Sequence, residues 1–159
     1  KTMTIQIALY QPDMPQNVGS ILRTSVAFDY KVHIIMPTGF IFNEAKMRRA
    51  GMDYLDRADY EKHASFEDFK NSECVKNANR VVLLTTKGAK PLHDFTFQNG
   101  DVLLFGRESA GVPDDVHNWS DARVYIPMKK GERSINLAQS VAISAFQALR
   151  DLDIRVDQG

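Results

Sequence analysis

The sequence predicts an α/β domain, a mostly parallel sheet flanked by helices. Three observations carry that prediction. Short runs rich in β-branched and apolar residues alternate along the chain with segments of helical period, an alternation that belongs to parallel sheets with helical crossovers. The runs are apolar almost throughout, the pattern of strands covered on both faces. At 159 residues and 43% hydrophobic content the chain suits one compact core, so a single domain over residues 1–159 is expected, with no linker, repeat or low-complexity segment.

The elements follow in order. TIQIALY, Thr4 to Tyr10, alternates as a strand does, and a helix is expected from about Asn17. KVHIIM (Lys31 to Met36) is the second strand. A short helix from Asn43 to Ala50 follows, closed by Gly51. In SFEDFKN, Ser65 and Asp68 have the spacing of a capping box with an acidic third residue. RVVLLTT (Arg80 to Thr86), DVLLFG and ARVYIP complete five strand candidates. The last helix, about Asn136 to Arg150, has two apolar rows: Leu137, Val141, Ala145 and Leu149, and beside them Ala138, Ala142 and Phe146.

Charge and cysteine content narrow the function. Twenty Lys+Arg balance twenty Asp+Glu, so any polyanion must be met by a local patch rather than a global field. The single cysteine, Cys74, excludes an intrachain disulfide and disfavours a cysteine metal cage. No apolar run is long enough to span a bilayer, and KTMTIQIALY lacks the features of a signal peptide. A cytoplasmic protein with no membrane partner is expected. His33, His63, His93 and His117 stand at no ligand spacing, so no metal site is expected.

Parallel sheets bind ligands at the carboxyl ends of their strands, which directs attention to three loops. These are QPDMPQNVGS after the first strand, GRESAGVP (Gly106 to Pro113), and PMKKGERSINLAQS (Pro127 to Ser140). Each joins Gly or Pro to side chains that hydrogen-bond well to a ligand and poorly to a core. Neither a dinucleotide fingerprint nor a P-loop is present: the first turn has only Gly19, and Gly106 to Gly111 is followed by Val112 and Pro113. Each residue also has a plain reading. Gly106 and Gly111 would serve any tight turn, Asn17 and Asn136 are good helix caps, Glu108 suits a solvated loop, and the basic residues suit a surface.

Together the loops are recognisable. Asn17-x-Gly19-x-x-x-Arg23, LLFGRESAGVP and IPMKKGERSINLAQSVAI resemble, in order and spacing, the three motifs of the SpoU-type branch of the SPOUT RNA methyltransferases. The similarity is greatest to its small single-domain members, which methylate the wobble nucleotide of tRNA. HIIMPTGF followed by MRRAGMDY adds to it, since that group carries a similar basic, Gly-closed helix between its second and third strands. The resemblance covers nearly the whole chain, although Lys129, Lys130, Gly131 and Glu132 make the third loop more basic than the usual pattern.

The resemblance implies a C-terminal deep trefoil knot, which periodicity would not suggest because chains avoid threading. It implies S-adenosylmethionine as cofactor, released as S-adenosylhomocysteine, held by Leu84, Thr85, Gly106, Gly111, Ile126, Met128, Ser134 and Leu137. It implies 2′-O-methylation of RNA ribose, most specifically cytidine or modified uridine 34 of tRNA, with Arg23, Asn17, Glu108, Ser134 and Asn136 as catalytic residues. A guanidinium stays charged in proteins, so Arg23 is read as positioning phosphate and ribose. The 2′-hydroxyl distinguishes RNA from DNA, which excludes DNA as substrate. Arg48, Arg49, Arg107, Lys129, Lys130 and Arg133 would supply the local basic surface for tRNA. A homodimer through the C-terminal helix and the first-motif helix is implied, with Arg23 of one subunit reaching the other's cofactor. The alternatives are a related enzyme acting at another tRNA or rRNA position and a noncatalytic knotted RNA-binding protein.

Overall fold

A computed structural model of the chain describes residues 4–155 and 157; the expected domain limits, 1 and 159, lie outside them. The described residues hold strands β1 (Gln6–Tyr10), β2 (Lys31–Ile35), β3 (Tyr60–His63), β4 (Arg80–Leu84), β5 (Lys90–Pro91), β6 (Asp101–Phe105) and β7 (Ala122–Tyr125). All pair in parallel, in the order β3-β2-β1-β6-β4-β7-β5. The helices are α1 (Pro15–Phe28), α2 (Glu44–Arg49), α3 (Phe66–Lys70), α4 (Glu73–Lys76), α5 (Asp114–Trp119) and α6 (Leu137–Asp151).

The apolar strands are covered on both faces, as their sequences require. Ile7 and Leu9 of β1, Val82 of β4 and Leu103 of β6 join Val18, Leu22, Val141 and Ala145 beneath α1 and α6. Their neighbours Ala8, Val81, Leu83 and Leu104 point the other way, against Phe69 and Val116 of α3 and α5. Each large apolar side chain buried this way contributes about 1.5–3 kcal/mol. Ala145 is fully buried against the sheet, so a larger residue there would overpack the face at about 1–3 kcal/mol.

Five of the strands are those expected, and two more complete the sheet. β3 reads YEKH and is exposed at its centre, and β5 is the two-residue KP. They are the sheet's edges. Charged residues and proline protect an edge from pairing with another chain, and they also erase the apolar pattern that marks a buried strand. The short helices α4 and α5 likewise go beyond the expected set, being too short to show a helical period.

Helix ends explain most boundaries. Asn43 caps α2 through a bond from Lys46 N (3.0 Å), and Gly51 beyond it takes φ +98°. Ser65 caps α3 through Asp68 N (3.0 Å). Asn136 caps α6, its Oδ1 accepting from Ala138 N (2.8 Å) and Gln139 N (3.3 Å). Helix α1 differs: it begins at Pro15, whose missing N–H suits a first position. Asn17 is therefore inside the helix rather than its cap, and its side chain is free for other work.

The pairing of β2 with β3 brings together two histidines 30 residues apart: His33 Nδ1 lies 2.8 Å from His63 Nε2. Burial, and then the neighbouring charges, hold His33 well below the ordinary imidazole range.

Candidate active site

At the carboxyl ends of β4, β6 and β7 the three following loops enclose a cleft of about 420 Å³. Leu84, Thr85, Gly106, Gly111, Ile126, Met128, Ser134 and Leu137 all line it, as do Asn17, Glu108, Asn136 and Arg107. Met14, Phe105, Val112 and Ser140 line it as well and are not among the residues the sequence singles out; they neighbour the motifs but carry no distinctive chemistry of their own.

The second loop is shaped by backbone proximity. A Cβ on Gly106 would stand 2.5 Å from the carbonyl carbon of Gly111, so no side chain fits. The two arms are joined by Arg107 N to Gly111 O (3.0 Å) and Gly111 N to Arg107 O (2.8 Å), and Gly111 takes φ +65°. The turn role and the pocket-lining position coincide in these glycines. After β4, Thr85 N donates to Val124 O (2.9 Å) and Ala89 N to Arg123 O (3.1 Å), which lays that loop on the end of β7.

Side chains tie the loops to each other. Glu108 accepts from Asp13 N (2.7 Å), Met14 N (3.2 Å) and Asn17 Nδ2 (2.9 Å). Asn17 Oδ1 then accepts from Asn136 Nδ2 (2.9 Å). One residue from each motif thus joins a continuous chain Glu108–Asn17–Asn136 along the cleft wall. Hydrogen bonds to a charged acceptor contribute about 1.5–3 kcal/mol each, against about 0–1 kcal/mol for an exposed ion pair such as Arg48–Asp56. Glu108 is the fastening that matters to the site.

Arg107 makes a second fastening. Its guanidinium pairs with Asp13 Oδ1, and Asp13 Oδ2 accepts from Ser109 N (3.1 Å) and Ser109 Oγ (2.5 Å). The bond from Arg107, then that from Ser109, pulls the Asp13 carboxyl down to about 2. The sequence does not single out Asp13, because its partners lie 94 and 96 residues away. Arg107 is already engaged within its own chain, so the cleft offers backbone groups, apolar strand ends and amides. Those suit a nucleoside-like ligand better than a phosphate.

The other basic residues lie elsewhere. Lys129, Lys130 and Arg133 are exposed on the third loop, around Gly131 at φ +93°, and no ion pair engages them among the described residues. Arg48 pairs with Asp56 at 2.9 Å, and Arg49 is exposed. Arg23 does not reach the cleft of its own chain. It is exposed on α1, about 9 Å along the helix from Asn17 at 1.5 Å per residue. Its guanidinium carbon lies 5.9 Å from the ring centroid of Tyr54, whose hydroxyl donates to Gly19 O (2.6 Å).

The sequence and fold have close relatives. The chain is 47% identical over 148 residues to a tRNA (cytidine(34)-2′-O)-methyltransferase of Ancylobacter novellus, covering 93% of each chain. It is 34% identical over 150 residues to the enzyme of that name from Escherichia coli, covering 93% of this chain and 94% of that one. A solved structure concerned with 2-OH methylation of C/U34 on tRNA has a TM-score of 0.84 at 36% identity, covering 96% of this chain and 99% of that chain. An AdoMet-bound rRNA methyltransferase from Sinorhizobium meliloti has a TM-score of 0.81 at 27% identity, covering 94% of this chain and 57% of that chain. The model of the SpoU rRNA methylase family matches residues 4–146. With its three motifs gathered at one cleft and that match running almost end to end, the chain belongs to the SpoU rRNA methylase family.

Proposed function

We propose that this protein transfers a methyl group from S-adenosylmethionine to the ribose 2′-oxygen of nucleotide 34 in tRNA, the bases of choice being cytidine and modified uridine. The observation that carries the proposal is the bonded chain Glu108–Asn17–Asn136, which draws the three motifs to one cleft. The names of the full-length relatives supply the substrate, and the AdoMet-bound neighbour supports the cofactor. The cleft's volume and its exposed loop backbone fit that cofactor.

When bound, S-adenosylmethionine supplies an electrophilic methyl on a sulfonium. The chain's own part is alignment. Leu84, Thr85, Gly106, Gly111, Ile126, Met128, Ser134 and Leu137 would hold the cofactor, with Asn136 beside them on the cleft wall. Arg23, carrying a permanent charge in a planar fork, holds phosphate and ribose in register. Fixing two reactants in an in-line geometry is a large part of what such a displacement needs.

The active form in this reading is a homodimer of one-domain chains, in which Arg23 of one subunit serves the other's cleft. Supporting it, Arg23 is exposed and does not line its own cleft, while Phe146 (59% exposed) and Ile143 (45%) leave an apolar strip on α6, beside α1. A trefoil knot completes the reading: β7 pairs outside β4, yet α6 returns to pack on α1 and β6, so the connection crosses the strand ends between. Arg49, Lys129, Lys130 and Arg133 meet the tRNA backbone, while Arg48 and Arg107 are held in ion pairs with Asp56 and Asp13.

Incubation of the purified protein with S-adenosylmethionine and unmodified tRNA, followed by nucleoside mass spectrometry of the anticodon fragment, tests the proposal. The expected product is 2′-O-methyl at position 34. Methylation confined to another position, or to rRNA, would overturn the substrate assignment.

A further inference from the structure

On edge strand β3 and its neighbour β2, apart from the cleft, three ligating groups converge without serving the methyl transfer. His33 Nδ1 and His63 Nε2 stand 2.8 Å apart, Glu61 Oε2 lies 3.9 Å from His63 Nε2, and the ligating atoms of all three fall within 4.8 Å of one another. We propose that His33, His63 and Glu61 form a binding site for a divalent transition metal of the zinc class, which ties edge strand β3 to β2.

The donor set selects the ion. Two imidazoles and one carboxylate suit zinc and its neighbours, whereas calcium and magnesium favour oxygen alone. Zinc–nitrogen bonds of about 2.0–2.1 Å place tetrahedral ligands roughly 3.3 Å apart. The histidine pair would open by about 0.5 Å to reach that spacing, and the Glu61 oxygen would close by about 0.6 Å on His63 and by up to about 1.5 Å on His33. Glu61 and His63 both stand on edge strand β3, where side-chain torsions can supply these shifts.

The surroundings have the form of a metal-site outer shell. Gln6 Oε1 lies 2.6 Å from His33 Nε2 and accepts its hydrogen, which leaves the Nδ1 lone pair facing the site; without metal His63 Nε2–H donates to it at 2.8 Å, and metal binding would leave the His63 hydrogen on its Nδ1 instead. Lys31 holds Glu61 by Oε1 at 3.1 Å, so Oε2 is the oxygen turned toward the imidazoles. Phe69 borders both rings, at 5.3 Å from His63 and 6.0 Å from His33 between centroids, and shields them from solvent. His33 and Glu61 both line a surface cleft of about 870 Å³, which gives an ion an entry path and a water its fourth position. The two histidines are buried while Glu61 is half exposed, as befits a site closed on the protein side and open on one edge.

The test uses the full chain, stripped with a chelator and then titrated with Zn²⁺ against a chromogenic competitor, and separately with Co²⁺. The expected result is one ion per chain, a visible ligand-field spectrum with Co²⁺, and a melting temperature raised by Zn²⁺. Glu61→Gln and His63→Gln should abolish the Co²⁺ spectrum, and Gln6→Ala should weaken Zn²⁺ roughly 10- to 100-fold. If His63→Gln does not fold, Glu61→Gln decides the matter, since its side chain is half exposed and its loss leaves the core intact. Binding that is absent in the wild type would overturn the proposal and leave a histidine pair joined by a hydrogen bond. Binding that survives unchanged in Glu61→Gln would overturn it too, placing the ion elsewhere, for instance on the exposed His93.

Discussion

Arg23 stands on the exposed side of α1, 5.9 Å from the Tyr54 ring centroid, and does not line the cleft of its own chain. If its planar fork sets the ribose and phosphate in register, charge alone is insufficient. Arg23→Lys should keep cofactor affinity, measured by calorimetry, and lose turnover on the order of 100-fold; near-normal turnover would remove the orientation argument. Asp13 makes a second residue-level prediction. Its folded carboxyl titrates below the ordinary 3.8, so the latch with Arg107 and Ser109 contributes fully above about pH 4 and is lost as pH falls through about 2. Carboxyl-resolved NMR should find that midpoint near 2, moving back toward 3.8 in Arg107→Gln. A wild-type midpoint near 3.8 would mean that the pair is open in solution. Asn17 takes a different place from the one its sequence suggests. Its sequence suggests a cap, but Pro15 starts the helix and the amide is left to join Glu108 to Asn136.

Among the elements, the third loop carries the clearest electrostatic consequence. Lys129 and Lys130 stand exposed beside Gly131, and each phosphate contact they make releases counterions. The double alanine variant should flatten the salt dependence of tRNA binding, lowering the log–log slope by up to about 1.5, while turnover at saturating tRNA changes less. An unchanged slope would return both lysines to ordinary solvation. Elements whose burial is strong were legible from sequence: β1, β2, β4, β6 and the core row of α6 all announce themselves by apolar period. β3 and β5 were not, since protection of an edge demands the residues that hide a strand. The site divides in the same way. Its loops and lining residues could be read from the motifs, whereas the Asp13–Arg107 latch and the His33–His63 pair exist only through long-range pairing that local pattern does not encode.

At the scale of the molecule, a single small chain offers little surface for a folded tRNA, and the exposed Phe146 and Ile143 beside α1 suit a second copy. Arg23→Ala and Asn136→Ala chains should each be impaired alone. Unfolded together and refolded, they should recover activity, because a mixed dimer holds one cleft with neither defect. If mixed dimers form and stay inactive, each site is built within one chain. In the composite arrangement α1 is more than a wall. Its first turn is riveted to its own cleft through Asn17, and its exposed flank carries Arg23 to the partner's. Were that arrangement in place, one helix would join two clefts, so a ligand that reorders the Glu108–Asn17–Asn136 chain in the first would change the aim of the guanidinium at the second.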